Sequence, residues 1–342
     1  MAPNTLLKLS AAVTLILFAL SPADAQGLKV GFYAKRCPNL EAIVYKTTAR
    51  FINVAPTLAA PLLRMHFHDC FVRGCEGSIL LNSTKSVQAE KDAFPNLSLR
   101  GYQVIDAVKA AVEKACPGVV SCADVLALVA RDAISQIKGP FWQVETGRRD
   151  GRVSIAAEAI NLPPPFANIT VLKAMFGANG LNAKDLVVLS VSNRNLMSYR
   201  IKGGHTIGNS HCSSFSNRIY NYSGRGDSTD TDPKLDKAYV PTLRVKCKSP
   251  NDVTTIVEMD PGSFRTFDSG YYKLVSKRRG LFESDAALLS DPETKAYVEQ
   301  RINGPIEEFF KDFGDSMVKM GRSGVLTGNN GEIRKQCMVV NS

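Results

Sequence analysis

Eight cysteines, at positions 37, 70, 75, 116, 122, 212, 247 and 337, constrain this chain more than any other feature. They follow an N-terminal stretch in which Lys8 precedes an apolar run from Leu9 to Leu20 and the small-residue ending Ala23-Asp24-Ala25. Residues 1–25 thus read as a secretory signal peptide, with an apolar core too short for a stable membrane span. An even number of cysteines beyond a leader, in an oxidising export route, predicts four disulfides. Spacing does not give their connectivity, although the close pair Cys70 and Cys75 could staple one turn. Sequons at Asn82, Asn96, Asn168 and Asn221 agree with export.

The formal net charge is +10, and the leader carries one Lys and one Asp, so the mature chain keeps it. The basic residues are scattered, with no block interleaved with aromatics, which argues against a nucleic-acid partner. For an exported protein the positive surface suits an anionic polysaccharide or acidic lipid. No later segment is long and apolar enough to cross a bilayer, so no membrane partner is expected. No polar linker or repeat divides residues 26–342, which reads as a single domain.

Apolar residues recur at three- and four-residue spacing in Leu40 to Phe51, Pro61 to Val72, Tyr102 to Ala115, Cys122 to Ile134 and Thr170 to Phe176. The same pattern predicts helices over Gly270 to Arg278, Asp291 to Ile302 and Pro305 to Met320. Start signals agree: Ser121, Asp291-Pro292, and Asn182 with Asp185 three residues on. Strand-like alternation is confined to bits such as Gln143 to Glu145. The expected fold is mainly α with long, disulfide-tied loops.

Chemistry-bearing residues are densest in LLRMHFHDCFVRGCEGSILL, Leu62 to Leu81. On a helix, Arg64 and His68 lie four apart on one face, so a guanidinium and an imidazole can address one small ligand. A peroxide suits that pair: the imidazole moves a proton between the two oxygens and the cation stabilises charge on the departing one. His66 points elsewhere on such a helix, and without an HExxH pattern the two histidines do not read as a zinc site. Next come Asp69, Glu76 and Ser78, with Gly74 and Gly77 letting carbonyls turn inward, a donor set of the kind Ca²⁺ accepts. Asp260, Ser263, Thr266 and Asp268 form a second oxygen-rich stretch. Asp285 stands among apolar residues and requires a partner such as a histidine N–H.

These segments, with AEKDAFPN, CPGVVSCADVLALVARDA, GRRDG, NLPPPF, GGHTIGNSHC and FESDAALL in the same order, make the chain resemble a class III secretory plant heme peroxidase over residues 26 to 342. The resemblance implies an all-helical fold with heme b between distal and proximal halves, two Ca²⁺ ions, and reduction of hydrogen peroxide with one-electron oxidation of phenolic donors. His205 would ligate the heme iron, with Asp285 as its hydrogen-bond partner. His68 would act as distal acid-base, Arg64 would stabilise the transition state, and Asn96, with Glu90, would link His68 to the distal calcium. The first Ca²⁺ would take Asp69, Val72, Gly74, Glu76 and Ser78. Glu76 departs from the family's Asp, and a weakened or altered site is expected. The second Ca²⁺ would take Thr206, Asp260, Ser263, Thr266 and Asp268. Pro163 falls where phenolic donors dock. The implied disulfides are Cys37–Cys116, Cys70–Cys75, Cys122–Cys337 and Cys212–Cys247, and Asp124 and Arg148 match a buried ion pair. A monomer secreted to the extracellular space or cell wall follows from the same resemblance.

One stretch breaks the pattern. In the family, DLVVLS leads directly into GGHTIG, whereas here the twelve residues Val191 to Lys202 intervene. Closing a loop of that size costs only about 2 kcal/mol in chain entropy, so placement matters more than length. Either the insert escapes to the surface and Gly203-Gly204 restore the approach of His205, or it displaces His205 and Thr206 and leaves a heme-deficient, non-catalytic wall-binding protein. A third account places it in the gene, as an intron remnant.

Overall fold

The computed structural model describes residues 27–190 and 207–342. The leader, the insert at 191–202, His205 and Thr206 lie outside the described residues.

Twelve helices order the described chain: α1 (Leu40–Val54), α2 (Ala59–Val72), α3 (Tyr102–Ala115), α4 (Cys122–Gln136), α5 (Ile169–Ala178), α6 (Ala183–Ser190), α7 (Ser216–Ile219), α8 (Val240–Lys246), α9 (Gly270–Ser276), α10 (Glu283–Ala287), α11 (Pro292–Ile302) and α12 (Ile306–Met320). The helical fold expected from periodicity is the fold observed, and the start signals act as read. Ser121 Oγ accepts from the Asp124 N–H at 3.1 Å, and Asp291 Oδ1 accepts from Glu293 and Thr294 N–H, both at 3.1 Å. Asn182 and Asp185 cap each other at the start of α6, each side chain accepting the other's backbone N–H at 3.0 Å.

α4 is the hub. Every residue from Cys122 to Ile134 is buried, and α1, α2 and α3 pack on it. Its Val125, Leu126, Leu128 and Val129 are fully enclosed, each burial worth about 1.5–3 kcal/mol relative to exposure. α6 is packed by α5, α11 and α12. α12 is amphipathic, with Phe309, Phe313, Met317 and Met320 inward and the Phe267 ring seated edge-on to Phe313 at 4.7 Å. A smaller apolar cluster, including Phe215, Leu243, Val257, Leu281 and Phe282, fills the region from Cys212 to Phe282.

The sheet content differs from expectation. Gln143 to Glu145 form no strand; the residues just after them make isolated bridges, Thr146 to Lys29, Arg149 to Leu326 and Asp150 to Glu332. The strands among the described residues are β1 (Asn209–His211) and β2 (Ile256–Glu258), antiparallel with Ser210 opposite Val257. Neither has an alternating pattern long enough to read, and their pairing is imposed by neighbouring structure. Gly208 N–H bonds to Phe264 O at 2.7 Å and Met259 N–H to Gly208 O at 3.1 Å, which fixes the chain where it resumes after the insert.

Four disulfides join Cys37 to Cys116, Cys70 to Cys75, Cys122 to Cys337 and Cys212 to Cys247, the same pairs that the resemblance implies. Asp124 and Arg148 meet in the interior at 2.8 Å, and Tyr33 Oη donates to the other oxygen of Asp124 at 2.8 Å. Among the described residues no helix is long and apolar enough to cross a membrane.

Candidate functional site

α2 is buried over almost its whole circumference, including Arg64, His66, His68 and Asp69. Because side chains four apart on a helix meet, Arg64 Nε lies 3.0 Å from His68 Nε2. The loop 94–98 closes on this pair. Arg64 Nη1 donates to Ser98 Oγ at 2.8 Å, and Nη2 donates to Pro95 O at 2.7 Å. Burial pulls the guanidinium down to about 9, so it remains a cation at neutral pH.

Hydrogen bonding fixes the imidazole tautomer. Asn96 Nδ2 donates to Glu90 O at 2.7 Å, which turns Asn96 Oδ1 toward His68 Nδ1 at 2.5 Å. Nδ1 must then carry the proton, and Nε2 is the basic nitrogen beside the Arg64 cation. A proton acceptor and a cation buried against one point fit a group that presents a small polar ligand there, as heme-bound peroxide does. His66 takes no part: its Nδ1 lies 3.7 Å from Cys70 Sγ, and burial, with a smaller effect of Arg148, pushes it down to about 3.

Asp285 is buried in the other half of the molecule. Tyr271 Oη donates to its Oδ1 at 2.8 Å and Phe282 N–H donates to its Oδ2 at 2.8 Å. The carboxylate is thus oriented by the first turn of α9 and by its own helix α10. His205, its expected partner, lies outside the described residues.

The first oxygen-rich loop follows α2 directly. Asp69 accepts from Gly77 N–H at 2.9 Å and Ile79 N–H at 3.4 Å, and the Cys70–Cys75 disulfide closes the turn between. Ser78 Oγ and both oxygens of Glu90 are buried and make no aligned hydrogen bond. Burial, reinforced by Glu76, pushes Asp69 up to about 7. Burial followed by the Asp69 charge pushes Glu90 up to about 8, the neighbouring Ser78 hydroxyl acting in the opposite sense. Buried carboxylates with unsatisfied oxygens are what a bound hard cation would resolve, so this loop fits Ca²⁺. Glu76 sits differently: its Oε1 is 3.2 Å from Arg73 Nε.

In the second loop, Asp260 Oδ2 is buried without a hydrogen bond, and burial pushes that carboxyl up to about 6. A Cβ at Gly270 would lie 2.7 Å from Asp260 Oδ2 and 2.9 Å from Asp268 Oδ1, so the two carboxylates converge on one point. The loop is turned by Ser263 N–H to Asp260 O at 3.2 Å and Thr266 N–H to Ser263 O at 2.7 Å. This arrangement also fits Ca²⁺. No group of three or more His, Cys, Asp or Glu side chains suited to a metal occurs among the described residues, so carbonyls and hydroxyls would have to complete either shell.

Pro163 is buried. Beside it opens a cleft of about 880 Å³ lined by Phe94, Pro95, Leu97, Ile160, Pro164 and Phe166. Ser98, the Pro95 carbonyl and these lining residues were not singled out by sequence reasoning. Phe94, Pro95, Pro164 and Phe166 lie in the segments AEKDAFPN and NLPPPF, but the sequence pattern assigns them no role, since their contacts arise only when the loops fold together.

The family model described as "Peroxidase" matches residues 44–303. The chain belongs to the peroxidase family. This peroxidase is 59% identical to Peroxidase 27 of Arabidopsis thaliana over 341 residues, covering 100% of both chains. It is 59% identical to Peroxidase 56 of the same plant, over 95% of this chain and 94% of the relative. Identity to Peroxidase 1 of Oryza sativa subsp. japonica is 57%, over 96% and 98%. The relatives are plant class III peroxidases, and the chain is a peroxidase enzyme of that class.

Proposed function

We propose that this peroxidase reduces hydrogen peroxide with phenolic donors in the extracellular space, with Arg64, His68 and Asn96 on the peroxide side and Asp285 supporting the iron ligand His205. The observation that carries the reading is the His68 tautomer. With Nδ1–H held by Asn96, Nε2 carries no proton of its own and accepts the Arg64 Nε–H; it would exchange that bond for the proton of an incoming peroxide, then return the proton to the departing oxygen. Arg64, a buried cation held by Ser98 and Pro95, offsets the negative charge that develops there. Heme b, when bound, supplies the redox chemistry. Asp285, fixed by Tyr271 and Phe282, would hold the proximal imidazole as its hydrogen-bond acceptor and raise its basicity.

Two Ca²⁺ ions would brace the halves. One would take Asp69, Ser78 and the carbonyls of Val72 and Gly74, with Glu90 nearby; the other would take Asp260, Ser263, Thr266 and Asp268, with Thr206. The apolar cleft next to Pro163 suits a small aromatic donor in size and lining. Pro95, which lines the cleft, also receives the Arg64 hydrogen bond through its carbonyl, so donor and peroxide chemistry would share one loop. The net charge of +10 supports anionic wall polysaccharide as a surface partner of a secreted monomer. The heme-deficient alternative is not favoured by the relatives.

Spectroscopy and turnover together test the proposal. The purified protein is expected to show a heme Soret band and to oxidise guaiacol only with peroxide. His68→Ala should keep the band and lose about 10²–10⁴-fold in rate. Protein that stays colourless with added heme, or a His68→Ala variant of full activity, would overturn it.

A further inference from the structure

The carboxylate that should complete the first calcium loop is held by a cation of the chain itself. Arg73, the residue that follows α2, forks across two carboxylates. Its Nε meets Glu76 Oε1 at 3.2 Å, and its Nη1 meets both oxygens of Glu158 at 2.8 and 2.6 Å. Glu76 is buried, with only 7% of its side chain exposed, whereas Arg73 and Glu158 are about one-third exposed. The Glu76 carboxylate lies directly over the backbone of Gly151, whose imagined Cβ would come within 2.5–2.6 Å of its Cδ and both oxygens. Gly151 N–H also binds Glu76 O at 2.8 Å. Main chain on one side and a guanidinium on the other thus seat this side chain.

Asp69, Ser78 and Glu90 differ. Asp69 is tied to the backbone N–H groups of its own turn, and Ser78 Oγ and the Glu90 oxygens, neighbours of one another, are buried with no aligned hydrogen bond. No salt bridge to a basic side chain is recorded for Asp69 or Glu90 among the described residues, whereas Glu76 and Glu158 share Arg73. We propose that Arg73 is an internal competitor for Ca²⁺, withholding Glu76 from the first loop so that the ion is held by Asp69, Ser78 and carbonyls alone. This rests on the reading of that loop as a cation site. Calcium affinity follows the number of charged ligands, so the clamp makes the site weaker than its sequence allows. The weaker leg of the fork is the one to Glu76, at 3.2 Å against 2.6 Å to Glu158, so Glu76 is the carboxylate that can be released.

The test is calorimetric titration of chelator-treated holoenzyme with calcium alone, the first-loop ion being the one lost in Asp69→Asn. Arg73→Gln is expected to tighten that ion about tenfold when Glu76 is present, and less than about twofold in a Glu76→Gln background. Equal tightening in both backgrounds would mean that Arg73 acts only through its field and would overturn the clamp, as would unchanged or weaker binding. Arg73→Lys keeps the charge but loses the planar fork, and a rise of intermediate size is expected. If Arg73→Gln does not fold, Arg73→Lys decides in its place, and unchanged affinity there overturns the proposal. A wild-type protein with no ion sensitive to Asp69→Asn would instead remove the cation reading, and the clamp with it.

Discussion

The two halves of the molecule connect an oxygen-rich loop to a buried functional side chain by different kinds of bond. In the first half the path runs from Glu90 through its backbone carbonyl to Asn96, and from Asn96 to His68. In the second it runs from the Asp260 and Asp268 carboxylates, converging on Gly270, to the next residue, Tyr271, whose hydroxyl reaches Asp285. A backbone carbonyl tolerates change in the side chain that bears it. A tyrosine hydroxyl has no such reserve, although the Phe282 N–H gives Asp285 a second donor. The imidazole is therefore sensitive to its amide and insensitive to the Glu90 carboxylate, while Asp285 is buffered by two independent donors.

The largest expected effect is at Asn96. Asn96→Ala should slow the peroxide-dependent step about 10–100-fold, the usual cost of losing an orienting partner, in stopped-flow mixing of the holoenzyme with peroxide. Tyr271→Phe should cost less than that in the same assay; the reverse order would break the comparison.

Next in size is a pH effect on the calcium-stripped protein. Asp69 and Glu90, raised to about 7 and about 8, bind protons in the folded state at pH values where the unfolded chain, with carboxyls near 4, has released them. Stability then falls as pH rises from about 4 to 8. Calcium binds the ionised forms and opposes the fall. The gap in Tm between calcium-loaded and stripped protein should widen across that range in scanning calorimetry. In the second loop Asp260, at about 6, should contribute only up to about pH 6. Asp260→Asn is thus expected to alter the acid side of the profile and Asp69→Asn the neutral side, and identical profiles would refute the distinction.

Smaller effects follow. Tyr271→Phe removes one hydrogen bond to a buried carboxylate and should lower unfolding free energy by about 1–3 kcal/mol, read from denaturant titration. Glu90→Gln should leave peroxide turnover within about threefold of wild type, because the carbonyl that holds Asn96 survives, while calcium retention falls. Turnover reduced as far as in Asn96→Ala would mean that the carboxylate, not the backbone, sets the imidazole.

Much of this was legible in the sequence because it is local. The three- and four-residue spacing of Phe309, Phe313, Met317 and Met320 gives α12, and the four-residue step from Arg64 to His68 gives their contact. Ser121 and Asp291 mark helix starts by the chemistry of their own side chains. What escaped depends on distant segments. The fork of Arg73 to Glu158 spans 85 residues, and Ser98 meets Arg64 across 34. The β1–β2 pair joins segments 47 residues apart, each too short for its alternation to be read. The cleft beside Pro163 is made by two loops whose apolar residues, Phe94, Ile160 and Phe166, remain partly in solvent, and no periodicity announces such a surface.

The Cys122–Cys337 bond, which spans 215 residues, has a consequence for how the protein is made. A ribosome delivers Cys37, Cys70, Cys75 and Cys116 before Cys122, and their bonds can close while synthesis continues. Cys122 must wait for Cys337, and during that delay its thiol sits six positions from Cys116. Closure of Cys37 to Cys116 within that interval would withdraw the nearest wrong partner. A chain truncated before Cys337 would leave Cys122, at the head of the central helix, with a thiol and no mate.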